Sequence, residues 1–295
     1  MKFGIMAMQL DRLIPTGLAP DQIMAYITSF NQAELVRQLA NTNFKWIELG
    51  GDLAMFIPHS FHSESIQQLK TLQKELDLGY TVHLPLWSVE PSTPLQQVRR
   101  GSIEAIVQSI QSTLSLTPEV YVLHATGALA AEFYRMRISE SARALLLRQF
   151  QANAADSIHR ILNETSIPSR RLAVETIEFP LDMTLELAEK FDLSVCLDTG
   201  HILSGFSGSI DFSDALDLCL PRLAEIHLHD SPRLGSNPNI VYGVDHQALG
   251  KGDLDIKLLF ERVKTYGFDG PVIFELSFEE ALESMRYIHH ILPDI

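Results

Sequence analysis

The chain has 295 residues, 46% of them apolar and 20% charged, a composition that excludes a disordered or low-complexity protein. Its net charge of −14, from 23 Lys and Arg against 37 Asp and Glu, opposes a general nucleic-acid binder, whose phosphate contacts need the reverse balance. Cys196 and Cys219 make no disulfide framework, no apolar run approaches about 18 residues, and the charges in MKFGIMAMQLDRL come too early for a signal peptide; these features point to a cytoplasmic protein off the membrane.

Taken in chain order, short apolar runs alternate with helical periodicity. A strand is expected near 3–8 (FGIMAM), then a helix over 20–41, a strand at 45–49 (KWIEL) and a helix over 63–76. The pattern continues with a strand at 80–84, a helix at 94–115, a strand at 119–124 and a helix at 140–164. It closes with strands at 171–176, 193–198, 224–229 and 271–276, interleaved with helices at 183–191, 213–219, 255–265 and 278–291. Thr93-Pro94 and Ser213-Asp214 have the character of helix starts, and Gly79 and Gly267 of helix ends. Eight strand–helix units predict one α/β domain over 1–295, a closed (β/α)8 barrel of parallel strands. An open doubly wound sheet would carry a Gly-rich turn after an early strand, where this chain has Gln9-Leu10-Asp11-Arg12. The segment 231–253 is rich in Gly, Pro and Asn and is expected to be a functional loop.

Barrel enzymes place their chemistry at the C-terminal ends of the strands. Here those ends read Glu48, His83, His124, Glu175, Asp198, His227 and Glu275. Period-two alternation puts Glu175 with Ala173, and Asp198 with Cys196, on the inward face. An inward carboxylate without a partner is costly, so these groups are expected to share metal ions or protons. In CLDTGH, Gly200 would permit a tight turn that returns His201 over the site of Asp198. IHLHDS places His227 and His229 on one strand face beside Asp230, and VDH brings Asp245 and His246 on the long loop.

Imidazole with carboxylate ligands suits Zn, Mn or Fe, and the number of ligands exceeds one four-coordinate site, which implies two or three divalent ions. Glu48 reads equally as a ligand or a buried ion-pair partner, His229 as a residue behind the ligands, and Asp245 stays open beside His246. Cys196 reads as packing, and His59, His62, His159, His289 and His290 as surface residues. The segment 127–137 pairs Phe133 and Tyr134 with Arg135 and Arg137; Tyr134 and the two arginines suit a ring and a phosphate on a small-molecule substrate, although an ordinary amphipathic helix start reads as well.

This constellation resembles the sugar isomerase and endonuclease IV superfamily of metal-dependent barrels along nearly the whole chain. The resemblance implies His83, His124, Glu175, Asp198, His201, His227, His246 and Glu275 as metal ligands. Val244 stands where that pattern has a further carboxylate. The segments YTVHLPL, YVLH, VETIEFPLD, VCLDTGHIL, IHLHD, VDH and FELSFEEAL are similar to the cobamide remodelling phosphodiesterases, with Thr176 in place of an Asn and Trp87 in place of an Asp. That likeness implies a hydrolase cleaving the nucleotide-loop phosphodiester of a corrinoid, with Glu175, Glu275 and His246 as catalytic residues. The alternative is a sugar or sugar-phosphate isomerase or epimerase, in which one ion held by Glu175, Asp198, His227 and Glu275 polarises a carbonyl and the two glutamates move protons.

Overall fold

The computed structural model describes residues 1–9, 17, 19–40, 44–233 and 244–293. Its strands are β1 (Lys2–Met6), β2 (Trp46–Gly50), β3 (Gly79–His83), β4 (Tyr121–Leu123), β5 (Leu172–Glu175), β6 (Ser194–Asp198), β7 (Leu223–Leu228) and β8 (Pro271–Phe274). All pair in parallel, each with its chain neighbour, and β8 closes on β1, giving the expected (β/α)8 barrel.

The helices are α1 (Pro20–Ser29), α2 (Gln32–Ala40), α3 (Leu53–Phe56), α4 (Ser63–Leu76), α5 (Gln96–Thr113), α6 (Ala128–Arg135), α7 (Glu140–Thr165), α8 (Leu181–Lys190), α9 (Thr199–Leu203), α10 (Phe212–Cys219), α11 (Ile256–Tyr266) and α12 (Phe278–Ile291). The one helix expected over 20–41 is two. Asn31 interrupts it by accepting the amides of Ala33 and Glu34 at 2.9 and 3.2 Å, so its side chain caps α2 and the chain turns there. Other boundaries move for the same local reason. Asp211, not Ser213, caps α10 by accepting the Ser213 amide, and α5 begins at Gln96 rather than at Thr93-Pro94. Asp77, in a left-handed conformation at φ 54, ends α4, so Gly79 opens β3 instead of closing the helix; Gly267 ends α11 as expected, at φ 82.

Alternation along the strands sorts the core into two bodies. Ile47, Leu49, Val82, Val174, Val195 and Leu197 face outward and join the main apolar cluster under the helices. Val120, Val122, Ala173 and Cys196 form a small separate cluster inside the barrel. Both cysteines are free and buried, as expected of packing residues. A register shift between Val195 and Cys196 leaves Cys196 opposite Glu225 and Asp198 opposite His227, so the inward residues of β6 and β7 rise in step. No helix among the described residues is long and apolar enough to cross a membrane. Residues 234–243, the middle of the expected 231–253 loop, lie outside the described residues.

Candidate metal centre

The strands deliver the ionisable residues to one place. His83, Glu175 and Asp198 end β3, β5 and β6; His227 is the penultimate residue of β7; and His124 and Glu275 follow β4 and β8 directly. His83, His124, Glu175, Asp198, His201 and His227 are all buried, and His246 lies partly open at the mouth.

Glu175 is the hub. Its Oε2 lies 3.1 Å from His83 Nε2, 3.0 Å from His124 Nε2 and 3.6 Å from His227 Nδ1, while its Oε1 lies 3.1 Å from His201 Nδ1. His227 Nδ1 also faces Glu275 at 3.4 Å and Asp198 at 3.9 Å, and His246 Nε2 faces Glu275 at 3.4 Å. Despite this crowding, the buried atoms Glu175 Oε1, His201 Nδ1 and His227 Nδ1 make no hydrogen bond. Buried polar atoms left without partners, mixed imidazole and carboxylate, fit a divalent cation of the Zn, Mn or Fe type. The groups His83–His124–Glu175 and Glu175–Asp198–His227 each bring their ligand atoms within 4.8 Å of one another, as do His83–His227–Glu275.

Not every histidine on the rim is free to ligate. His229 donates from Nε2 to Asp198 Oδ2 at 2.9 Å, and its Nδ1 accepts the backbone N–H of His246 at 2.9 Å. Both ring nitrogens are therefore occupied and the tautomer is set, with Nε2 turned to the Asp198 carboxylate. Asp198 Oδ1 accepts the His201 amide at 2.7 Å and caps α9, which orients this carboxylate from a second side. Thr176, where the family resemblance has Asn, accepts the Asp198 backbone amide at 3.0 Å.

The same clasp holds the long loop's end over the barrel. The ring of His246 stacks on His229 with centroids 4.0 Å apart and planes 10° from parallel, and its backbone is left-handed at φ 56. Asp230 latches the loop by accepting the amides of Ser231, Gly250 and Leu254 at 2.9, 2.8 and 3.0 Å. Asp245 joins His201 Nε2 at 3.6 Å and His246 Nδ1 at 3.3 Å, so it supports two histidines from outside the cluster around Glu175.

Gly200 is needed for space rather than for the tight turn expected of it. A Cβ there would lie 2.2 Å from His229 Cε1 and Nδ1. Gly200→Ala must push out an imidazole fixed at both nitrogens, and is expected to cost about 2 kcal/mol or more of stability. Denaturant unfolding of the metal-free protein measures this, and an unchanged midpoint would refute the packing.

Electrostatics follow from the hub. Burial by itself would strip protons from His83, His124, His201 and His227, but the adjoining carboxylates, Glu175 among them, outweigh it and hold all four above the usual imidazole range. His246, set against the carboxylates of Asp245 and Glu275, is pushed up to about 11. Without metal the adjoining carboxylates favour the protonated rings, and ligation must displace those protons. Metal binding at pH 7 is therefore expected to release at least one proton and to weaken as pH falls. Titration calorimetry in buffers of different ionisation enthalpy reads this, and a buffer-independent enthalpy would contradict it.

Several residues around the site carried weaker signals. Glu225 lies two positions before His227 on the inward face, a spacing that could have revealed it; its Oε1 accepts from Thr81 Oγ1 at 3.0 Å. Burial, then the nearby Glu48, pushes its carboxyl well above the usual range. Glu48 faces His227 from below, with its Oε2 3.3 Å from Nε2 of that imidazole. Glu178, at φ 65, reaches His124 Nδ1 at 3.8 Å, and Glu90 accepts from Ser92 and the Gly127 amide nearby. Loop geometry alone brings this second carboxylate pair in, so alternation held no sign of it.

The 127–137 segment is mostly the helix α6. Arg135 lies with its guanidinium 5.2 Å from the ring centroid of Phe206, which itself sits 5.1 Å from His201. Arg135 thus approaches the site through one aromatic ring, whereas Arg137 is exposed and Tyr134 lines a separate cleft with Gly208 and Leu185. Of the histidines expected on the surface, His62, His159, His289 and His290 are exposed; His59 is half-buried with Nε2 3.0 Å from the Phe30 carbonyl.

Comparison with known proteins matches residues 36–290 to the family described as xylose isomerase-like TIM barrels. The chain belongs to that family. It is 23% identical over 237 residues to the uncharacterized protein MJ1311 of Methanocaldococcus jannaschii, covering 79% of this chain and 77% of that one. Among solved structures it is similar to a D-tagatose 3-epimerase-like protein, with a TM-score of 0.68, 18% identity, and 99% and 97% of the two chains covered. It is also similar to the D-psicose 3-epimerase of Clostridium cellulolyticum H10, with a TM-score of 0.67, 14% identity and 99% of each chain covered. The 3-keto-D-glucoside 4-epimerase YcjR of E. coli matches with a TM-score of 0.65, 15% identity, and 98% and 99% coverage. At these identities the solved structures establish the shared fold.

Proposed function

We propose that this protein is a divalent-metal-dependent isomerase or epimerase acting on a small sugar or sugar phosphate. The observation that carries the reading is the meeting of Glu175, Asp198 and Glu275 on Nδ1 of His227, at 3.6, 3.9 and 3.4 Å. These four residues would hold a divalent ion, which would supply polarisation of a substrate carbonyl oxygen and so acidify the neighbouring C–H. Glu175 and Glu275 come from β5 and β8, which stand three strands apart in the closed wall, so they reach a substrate from different sides. One takes the proton from the carbon beside the carbonyl, and the other returns it to the opposite face or to the adjacent carbon. His201 and His246 stand at the mouth to hydrogen-bond substrate hydroxyls. The epimerase names of similar structures agree with this chemistry.

The test is exchange of solvent deuterium. With metal restored after chelation, a panel of aldoses, ketoses and their phosphates in D2O should yield an isomer carrying deuterium at the reacting carbon. Failure of every carbonyl substrate to exchange would reject the reading.

A second reading is favoured by one further observation. His83 and His124 both close on Glu175 Oε2, at 3.1 and 3.0 Å, which is more ligation than one ion needs. Two or three ions there would suit a phosphodiesterase, with the cobamide diester suggested by the segment resemblance as its substrate. Elemental analysis separates the two: one ion per chain supports the isomerase, and two or more, together with release of a nucleoside from an intact cobamide, supports the hydrolase.

A further inference from the structure

The imidazole of His227 divides the barrel interior. On the mouth side its Nδ1 faces Glu175, Asp198 and Glu275. On the other side its Nε2 lies 3.4 Å from Glu48 Oε1, 3.3 Å from Glu48 Oε2 and 4.0 Å from Glu225 Oε1. Glu48, Glu225 and His227 are each 0% exposed, and the floor around them is the apolar cluster of Val122, Ala173 and Cys196. Glu48 comes from β2, three strands around the wall from β7 through the β8–β1 junction, so its approach to Nε2 is a product of barrel closure.

A neutral imidazole donates from one nitrogen and accepts at the other. Nδ1 is the nitrogen aimed at the carboxylate set, so Nε2 carries the hydrogen and Glu48 is its acceptor. We infer that Glu48 is a positioning residue for the metal centre: it holds His227 as the Nε2–H tautomer and thereby presents the Nδ1 lone pair to the ion. This rests on the reading above that Glu175, Asp198, His227 and Glu275 hold a divalent cation. Glu48 reaches neither substrate nor the mouth, and its effect passes through one ring. A carboxylate behind a ligating histidine fixes ring orientation and raises ligand basicity, and removing such a partner typically weakens metal binding 10- to 100-fold. An ion seated between Glu48, Glu225 and Nε2 is the competing arrangement, and it would require the same ring to ligate through both nitrogens.

Two measurements test the assignment. In zinc-loaded, 15N-histidine-labelled wild-type protein, with His227 identified by comparison with His227→Gln, the His227 ring should show a protonated Nε2 and an unprotonated Nδ1. The reverse tautomer, or a ring unprotonated at both nitrogens, overturns the proposal without any variant at position 48. In competition with a chromophoric chelator, Glu48→Leu should raise the Co2+ dissociation constant about 10- to 100-fold. Glu48→Gln, which keeps an acceptor oxygen, should recover most of that loss. In a His227→Ala background, Glu48→Leu should add no further weakening. The metal-free melting temperature of Glu48→Leu should fall, because removing one partner of a buried pair leaves the His227 Nε2–H unmet, whereas Glu48→Gln should stay near the wild-type value. Wild-type Co2+ affinity in Glu48→Leu, or equal weakening with and without His227, overturns the proposal. A wild-type protein that binds no Co2+, Mn2+ or Zn2+ overturns the metal reading itself, which keeps the two failures distinct.

Discussion

Glu175→Gln should leave a folded barrel that has lost its metal, with the dissociation constant raised at least about 100-fold and turnover below about 1%. The magnitude follows from position, since one carboxylate touches His83, His124, His201 and His227. Burial would raise the Glu175 pKa, but His124 and His227 outweigh burial and hold it well below the usual range. The metal-free variant should also lose about 3 kcal/mol of stability, the usual cost of removing one partner of a buried ion pair. The pH dependence has a definite sign. A lowered carboxylate contributes stability above its ordinary pKa of about 4.3, and raised histidines contribute below about 6.5 and lose that contribution as pH climbs through their folded values. The deficit is therefore largest between those limits, and shrinks as pH climbs through the raised folded-state values of the imidazoles. Denaturant titrations with a chelator present, at pH 6 and pH 10, check this; a deficit that grows with pH would reverse the argument.

Glu275→Gln should lower kcat by about 1000-fold on whichever carbonyl sugar the protein turns over, the range expected for loss of a positioned acid–base group. Burial opposes ionisation of Glu275, but His227 and His246 outweigh it and keep the carboxyl well below its usual range, so it stands as the carboxylate. His83→Ala and His124→Ala form the contrast. Both residues close on Glu175 Oε2 and stand outside the set of Glu175, Asp198, His227 and Glu275 proposed to hold one ion, so an isomerase using those four should keep turnover within about tenfold of wild type. Loss of all activity in both histidine variants, with Glu275→Gln only mildly impaired, would instead favour the phosphodiesterase. Steady-state kinetics with metal content measured on each variant separates these outcomes.

The barrel and its rim were legible in one dimension because both depend on local periods. Parallel strands buried on both sides are short apolar runs, and alternation shows which residues face inward. His83, Glu175, Asp198, His227 and Glu275 could thus be placed at one mouth before any tertiary contact was known. Closure also made the two core bodies predictable, with Ala173 and Cys196 inside and Val174 and Leu197 under the helices. What the sequence did not reveal depends on contacts between residues far apart in the chain. The tautomer of His229 is set by an amide 17 residues away on a loop, and the partner of His227 is Glu48, 179 residues distant. The break after α1 was local but hidden, because Asn31 caps only once the chain has already turned. Residue types gave the inventory of imidazoles and carboxylates. Which nitrogen faces which oxygen was decided only when eight strands closed and fixed those separations to a few ångströms.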